Sequence, residues 1–284
     1  MIRKMIIGIV ILALLVGAYI GYTFFRTPEE ASGPIEAVPL ALEENTQDGQ
    51  TESADSKTEA STVDTTTEDT NESENSAESN SETEAADSEA DASTTDAGDE
   101  SAAIPLAVFE IVQAESQARF YIDEVLRGDP VTVEGITDQL AGQIAVDPGD
   151  LSSAQIGTIL VNARTLATDN DFRNRAIKNQ ILLTDDHEFV TFEPTEIIGL
   201  PESGTVGESY TFQIAGDLTI IGSIQQVTFE ATVTPTAEQR LEGIATTTIL
   251  YADFGVTIPA SQSVDAVEDD LRLEIDFVAE VIQE

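Results

Sequence analysis

Three hydropathy patterns follow one another along the chain. Residues 5–25 form an unbroken apolar run, residues 29–103 are polar and lack aromatic side chains, and from residue 104 onward apolar and polar residues alternate. These patterns are typical of a membrane-spanning helix, a linker and half-buried β-strands, respectively. We therefore divide the chain into an anchor at 1–27, a linker at 28–103 and a β-rich domain at 104–284.

The anchor contains 21 consecutive residues without a charge. At 1.5 Å per residue they would make a helix of roughly 31 Å, which matches the hydrocarbon core of a bilayer. Arg3 and Lys4 precede the run, so the positive-inside rule predicts a single pass through the cell membrane, with a cytoplasmic N-terminus and an extracytoplasmic β-rich domain. A cleaved signal peptide is the alternative, with Val16-Gly17-Ala18 as a weak cleavage site inside the run.

The linker is strongly acidic. Within 29–103, Lys57 is the single basic residue against 23 acidic ones, a net charge of −22. Such a composition buries too little apolar surface to offset the entropy of ordering, so we expect disorder. The linker is either a self-repelling spacer that holds the following domain away from the membrane or a solvated segment without a partner.

The β-rich domain shows period two in several runs separated by turn signals such as Arg127-Gly128-Asp129-Pro130 and Asp147-Pro148-Gly149-Asp150. About eight antiparallel strands over some 180 residues favour a closed barrel or a sandwich.

One segment of the β-rich domain breaks this period. At 169–181, Phe172, Ala176, Ile177 and Ile181 recur at helical spacing, and Asp169 or Asn170 can cap the first turn. The sequence thus predicts a short amphipathic helix that lies across the barrel and covers an opening.

Motifs along the domain resemble those of the YceI family. They comprise Phe120-Tyr121-Ile122-Asp123, Leu140-Ala141-Gly142-Gln143-Ile144, Thr168-Asp169-Asn170-Asp171-Phe172, Gly216-Asp217-Leu218-Thr219-Ile220-Ile221-Gly222 and Asp253-Phe254-Gly255-Val256. The resemblance covers roughly residues 115–282. It implies an all-β, antiparallel, eight-stranded lipocalin-like barrel with a short helix, located outside the cytoplasm, and a polyisoprenoid chain as ligand. Glu124-Val125-Leu126 and Arg173-Asn174-Arg175-Ala176-Ile177 depart from the family pattern, in which a histidine and an aspartate are common.

Strand parity predicts which side chains face the barrel interior and bind an apolar ligand. They are Phe120, Ile122, Ile144, Ile156, Leu160, Phe192, Phe212, Ile214, Leu218, Phe229, Ile275 and Phe277. In a barrel of this size these side chains either fill a solid core or line a slot, and parity does not decide between the two.

Basic residues concentrate around the predicted helix. Arg164, Arg173, Arg175 and Lys178 are half of the eight basic residues in a domain that carries 31 acidic ones. They either form a rim for an anionic or quinone-like head group or pair with neighbouring acids.

Composition excludes several functions. Twelve basic against 54 acidic residues, a net charge of −42, disfavour nucleic-acid binding, and the absence of cysteine excludes disulfides and thiolate metal sites. His187 is the only histidine and lies among acids in Thr184-Asp185-Asp186-His187-Glu188, where a solvated loop is the expected setting. We predict no catalytic residues, no metal and no cofactor other than a bound isoprenoid lipid or quinone.

Two functions agree with these expectations. The first is a membrane-tethered, non-catalytic module that sequesters or carries an isoprenoid-type chain inside the barrel. The second is a solid-core barrel that serves as a surface interaction domain on an acidic stalk. A ligand-sized cavity would argue for the first.

Overall fold

Twelve β-strands form one antiparallel sheet within the residues described by the computed structural model, namely 9, 12–19, 21–22, 26–41, 106–237 and 239–282. The strands are β1 (Ala107–Ile111), β2 (Gln117–Leu126), β3 (Asp129–Thr137), β4 (Leu140–Ala141), β5 (Gln143–Asp147), β6 (Asp150–Ile156), β7 (Ile159–Asn162), β8 (Phe189–Ile198), β9 (Tyr210–Ile220), β10 (Ser223–Ala237), β11 (Arg240–Leu250) and β12 (Val264–Val281).

The sheet curls until the two ends of its strand order meet. The order is β4-β7-β8-β9-β10-β11-β12-β1-β5-β6, with β2 between β12 and β3. Only Gly142 separates β4 from β5, and its carbonyl accepts a hydrogen bond of 3.1 Å from the backbone N–H of Ile111. On the other side, the N–H of Gly157 donates to the carbonyl of Gln143 at 2.8 Å. The result is a curled, barrel-like antiparallel sheet.

The predicted count of eight strands is not confirmed. The difference arises because long runs are interrupted: β1 and β2 lie one after the other along β12, β3 is followed by β4 and β5, and β6 by β7. A 3₁₀ turn at Gln113–Glu115 separates β1 from β2, and each interruption ends one ladder of hydrogen bonds before the next begins.

The predicted helix is present but short. Helix α1 (Asp171–Ala176) continues into a π-helical turn, Ile177–Ile181. The side chain of Asn170 accepts hydrogen bonds from the N–H groups of Phe172 and Arg173, which confirms Asn170 as the N-cap. Phe172 is 66% exposed, whereas Ile177 is buried. The predicted apolar face is therefore wrong at Phe172, and the buried side chains of this segment lie in the π-helical turn.

Residues 26–41, which we call the strap, run in an extended path along the barrel. The Gln113 side chain donates to the carbonyl of Ile35 at 2.6 Å, the Leu40 N–H donates to the Gln143 side chain at 3.0 Å, and Ile35 is buried. Residues 28–41 of the predicted linker therefore contact the barrel, and the bounds of the linker stay a prediction. The polar backbone groups of these residues and one apolar side chain find partners on the barrel, which a composition argument does not foresee.

The remainder of the predicted linker, residues 42–103, lies outside the described residues, as does much of the anchor at 5–25. Across the described ranges, no helix has both the length and the hydropathy to span a bilayer. The transmembrane anchor is thus not confirmed and stays a prediction from the sequence.

Candidate ligand-binding cavity

Two apolar cavities occupy the barrel interior, one above the other. The larger has a volume of about 510 Å³ and the smaller about 210 Å³. They share four wall residues, Ile159, Phe192, Phe229 and Ile275. The rings of Phe192 and Phe229 meet edge to face with centroids 4.9 Å apart, a favourable arrangement for two aromatic rings. This aromatic pair, which we call the partition, stands between the two cavities.

The strand register places the partition. Phe192 on β8 is paired with Leu218 on β9, and Phe229 on β10 is paired with Ile214 on β9, so both rings project from the strands that flank β9. Gly216 on β9 makes room for them. A Cβ atom there would lie 2.8 Å from the Phe192 ring and 2.5 Å from the carbonyl oxygen of Glu193. The structure thus explains why glycine occupies the first position of the Gly216-Asp217-Leu218 motif: a residue without a side chain lets the Phe192 ring lie across the neighbouring strand.

Eleven of the twelve residues predicted to face the interior line one of the cavities. Phe120, Ile122 and Leu218 line the smaller one, Phe192, Phe229 and Ile275 line both, and the remaining five line the larger one. Those five are Ile144, Ile156, Phe212, Ile214 and Phe277.

Leu160 is the exception and is a correction. It is half-buried and lines neither cavity, whereas its neighbours Ile159 and Val161 do. Ile156 and Ile159 both line the larger cavity although they are three positions apart, so the backbone between β6 and β7 shifts the period-two pattern by one residue. Ile159, not Leu160, therefore faces inward.

Sequence reasoning missed the open end of the larger cavity. This end is formed by the β5–β6 turn and the long β8–β9 loop, which contribute Pro148, Leu151, Thr205 and Val206. Thr205 and Tyr210 carry the only polar side chains among the residues lining this cavity. The Tyr210 hydroxyl accepts a hydrogen bond from the Thr205 N–H at 2.6 Å and donates to Glu208 at 3.1 Å. Loop residues follow no strand period, so parity had no means to find them.

The wall of the smaller cavity includes two ion pairs, Arg119–Glu274 at 3.1 Å and Glu124–Arg173. Glu124 on β2 is only 8% exposed, and its carboxylate lies 2.8 Å from the Arg173 guanidinium of α1. Arg173 also bonds Asp169 at 2.6 Å. Ile177, Ile181 and Leu182 complete the wall from the helical segment, as expected for a helix that covers an opening.

The four basic residues predicted as a head-group rim have different surroundings. Only Arg173 lines a cavity, and it is paired there. Arg164 is nearly buried, lies 3.1 Å from Glu188 and 3.0 Å from Glu29 of the strap, and donates to the Thr184 carbonyl at 2.8 Å. Arg175 is exposed, and its guanidinium lies over the Phe172 ring. Lys178 is partly buried, and this burial lowers the pKa of its ammonium group. Arg164 and Arg173 thus pair with acids, as in the alternative given above, and the head-group rim stays a prediction.

His187 lies in the turn that follows the π-helical turn. Its backbone N–H donates to the Leu183 carbonyl at 3.0 Å, and its ring packs near Gly222. Within the described ranges no group of three or more His, Asp or Glu side chains is arranged to hold a metal ion. The larger cavity instead offers an apolar wall with polar atoms only at its open end, a geometry suited to an apolar chain with a polar terminus.

Comparisons with known proteins agree with this architecture. The family model of the YceI-like domain matches residues 109–279. Among solved structures, a polyisoprenoid-binding domain from Saccharophagus degradans superposes with a TM-score of 0.50 at 16% identity, covering 63% of this chain and all of that one. BcnA of Burkholderia cenocepacia gives a TM-score of 0.48 at 18% identity, covering 59% of this chain and 98% of that one. The YCEI protein of Campylobacter jejuni gives 0.43 at 16% identity, with 53% and 85% coverage.

A comparison with curated protein sequences found no significant match. The family model covers more than half of the chain, and its bounds coincide with the barrel-like sheet from β1 to β12. The chain belongs to the YceI-like domain family.

Proposed function

We propose that this protein binds an isoprenoid-type lipid chain inside its barrel and sequesters or carries it without chemical change. The single observation that carries the proposal is the larger cavity, about 510 Å³ with an apolar wall. That volume lies within the range of small-molecule sites, and its apolar wall suits a hydrocarbon better than a polar metabolite. The polyisoprenoid ligand named for the Saccharophagus degradans domain supports the same ligand class.

The cavity argues against the solid-core alternative. A filled barrel would leave few voids larger than a water molecule, since protein interiors pack as densely as organic crystals. Here the interior side chains stop short of one another on both sides of the partition. An interaction domain has no need for that space.

Membrane attachment and an extracytoplasmic location complete the proposal. They are supported by the charge-free run at 5–25 and by Arg3 and Lys4 before it. A tethered carrier would take its ligand from the bilayer that holds it, or deliver it there.

Native mass spectrometry of the full chain in mild detergent, with a polyprenol of defined length, tests the proposal. We expect one polyprenol per chain. Ala245→Phe places a ring in the larger cavity and should weaken binding about tenfold, the equivalent of roughly 1.4 kcal/mol. Ala266→Phe, on the exposed start of β12, makes the same change outside the barrel and should bind as the wild type does. Equal binding by both variants, or none by the wild type, would refute the proposal.

A further inference from the structure

Exposed apolar side chains gather at the helix-covered end of the barrel. Phe172 on α1 is 66% exposed, Leu183 after the π turn 38%, and Ile224 on the β9–β10 hairpin 62%. The hairpin lies at the same end because Gly222, at its tip, packs near the His187 ring. Together with Arg175, whose guanidinium sits 5.9 Å from the centre of the Phe172 ring, these residues form what we call the helix-end patch.

Leu183 is presented at some conformational cost. Its backbone φ is +48°, in the left-handed region that a branched apolar residue rarely adopts. The turn is held by hydrogen bonds that the carbonyl of Leu183 accepts from the N–H groups of Asp186 at 2.9 Å and His187 at 3.0 Å. A strained apolar residue at the surface indicates that exposure there serves a function.

The strap begins at this same end. Arg26 forms an ion pair with Asp185, and its carbonyl accepts a hydrogen bond of 2.9 Å from the Asn179 side chain. The N–H of Glu29 donates to Asp185 at 3.1 Å. Residue 26 is therefore pinned between the π turn and the turn that carries Leu183, and the apolar run of the sequence ends one residue earlier, at Phe25.

From this juxtaposition we infer that the helix-covered end of the barrel rests on the lipid bilayer, with the helix-end patch in contact with the interfacial region. The inference rests on the proposed attachment through residues 5–25. Aromatic and aliphatic side chains enter that region readily, and a guanidinium beside an aromatic ring can remain at the level of the phosphates.

The contact makes the strap, not the acidic segment, the element that sets the distance to the membrane. Leu40 at the far end of the strap bonds Gln143, and Gln143 is paired with Glu110 of β1. Both flanks of residues 42–105 therefore lie beside the same strand, β5. Because residues 40 and 107 are both held at the barrel, the number of residues between them does not set the distance from the barrel to Arg26.

The acidic start of β12 limits which membrane the patch can meet. Val267 lines the smaller cavity, so Asp265, Glu268 and Asp269 lie at this end too. Their charge would be repelled by a strongly anionic surface, and we expect closer contact on zwitterionic lipid.

Tryptophan fluorescence tests the inference, because the chain contains no tryptophan. The full chain would be reconstituted into phosphatidylcholine vesicles whose acyl chains carry bromine, a quencher. Phe172→Trp reports on the helix-end patch, and Val206→Trp, 51% exposed at the opposite end, is the matched control. We expect Trp emission to be quenched in the first variant and not in the second. Equal quenching, no quenching at 172, or failure of the chain to float with the vesicles would overturn the inference.

Loosening the strap provides an independent arm. Asp185→Ala with Asn179→Ala removes both contacts to Arg26 and should reduce the quenching seen with Phe172→Trp, while the chain still floats. Unchanged quenching would contradict the role of the strap. Polyprenol binding, measured on the same samples, separates the two proposals: retained binding with unquenched Trp at 172 refutes the membrane contact alone.

Discussion

The two cavities differ in what surrounds them. The larger one ends in turns and a loop, and Thr205 and Tyr210 are its only polar side chains. The smaller one is covered by α1 and the π-helical turn, and its wall contains the Glu124–Arg173 and Arg119–Glu274 ion pairs. The larger cavity therefore has the greater volume, and the smaller one has the charged side chains and the helical cover.

The barrel thus keeps most of its ligand-sized volume apart from its charged side chains. A hydrocarbon chain in the larger cavity meets almost no polar atom until it reaches the open end. To reach Arg173 it must pass the Phe192–Phe229 partition. The partition therefore determines whether the interior acts as one long slot or as a short slot with a closed compartment behind it.

Removing one ring of the partition should have the largest effect. Phe229→Ala is expected to lower the free energy of unfolding by about 4 kcal/mol, because Phe229 is buried and its loss leaves a void. It should also join the cavities, so that native mass spectrometry with a mixture of polyprenols shows a shift toward longer bound chains.

Phe172→Ala is the control for this change. Because its ring is exposed, the free energy of unfolding measured in urea should fall by less than about 0.5 kcal/mol. The length of the polyprenols that the protein binds should not change. A Phe229→Ala protein that still selects the wild-type chain lengths would show that the partition does not limit the ligand.

The Glu124–Arg173 pair in the smaller cavity should have the next largest effect. Arg173→Ala leaves the Glu124 carboxylate buried without this partner. We expect the free energy of unfolding measured in urea to fall by about 3 kcal/mol. The double variant Glu124→Leu, Arg173→Met should recover most of that loss, because two apolar side chains need no pairing. Arg175→Ala, on the exposed side of α1, should change stability little. Equal losses for Arg173→Ala and Arg175→Ala would contradict a buried role for the pair.

Gly216 should come third, since it affects the partition indirectly. Gly216→Ala brings a Cβ atom to 2.5 Å from the Glu193 carbonyl oxygen and 2.8 Å from the Phe192 ring. Because the backbone and the ring must move to accommodate it, we expect the free energy of unfolding to fall by about 2 kcal/mol. Gly204→Ala is the control, because its added methyl would meet only the end of the Leu151 side chain at 3.0 Å. Matching urea midpoints for the two variants would mean that Gly216 does not position Phe192.

The alternation of apolar and polar residues predicted most of the inward-facing side chains, because one face of each strand is buried. That constraint places Phe192, Phe212 and Phe229 inside from their spacing alone. The same rule failed at Leu160, because the phase changes between β6 and β7, where the isolated Gly157 was the one sequence signal of an irregular strand.

Features that depend on pairing between distant segments could not be predicted. The strap has the composition of a linker, yet Ser32 bonds Glu188 across 156 residues of sequence. The Arg164 guanidinium looked available for a ligand because its partners, Glu29 and Glu188, lie far away along the chain. Hydropathy describes each residue alone, and charge pairing depends on which segments the fold brings together.

The smallest predicted effect concerns the strap, where it passes the cover of the smaller cavity. Burial acts to raise the pKa of Glu188, but two hydrogen bonds from Ser32, one from Asn162 and the charge of Arg164 outweigh it, so the pKa lies below 4.5. Because the folded carboxyl binds its proton less readily than the unfolded one, its stabilisation is fully present above about pH 4.5 and is lost as the pH falls through the folded pKa.

Glu188→Gln removes this titration and should lower the free energy of unfolding by about 1 kcal/mol at pH 7. The difference in thermal midpoint between this variant and the wild type should shrink as the pH is lowered below about 4.5, because protonation then leaves the wild type with a neutral side chain too. Glu193→Gln, exposed on β8, the strand that begins directly after Glu188, should show no such pH-dependent difference. A gap for Glu188→Gln that stays constant down to the acid limit of folding would mean that the strap is held by hydrogen-bond geometry alone, and that the cover of the smaller cavity does not respond to acid through this carboxylate.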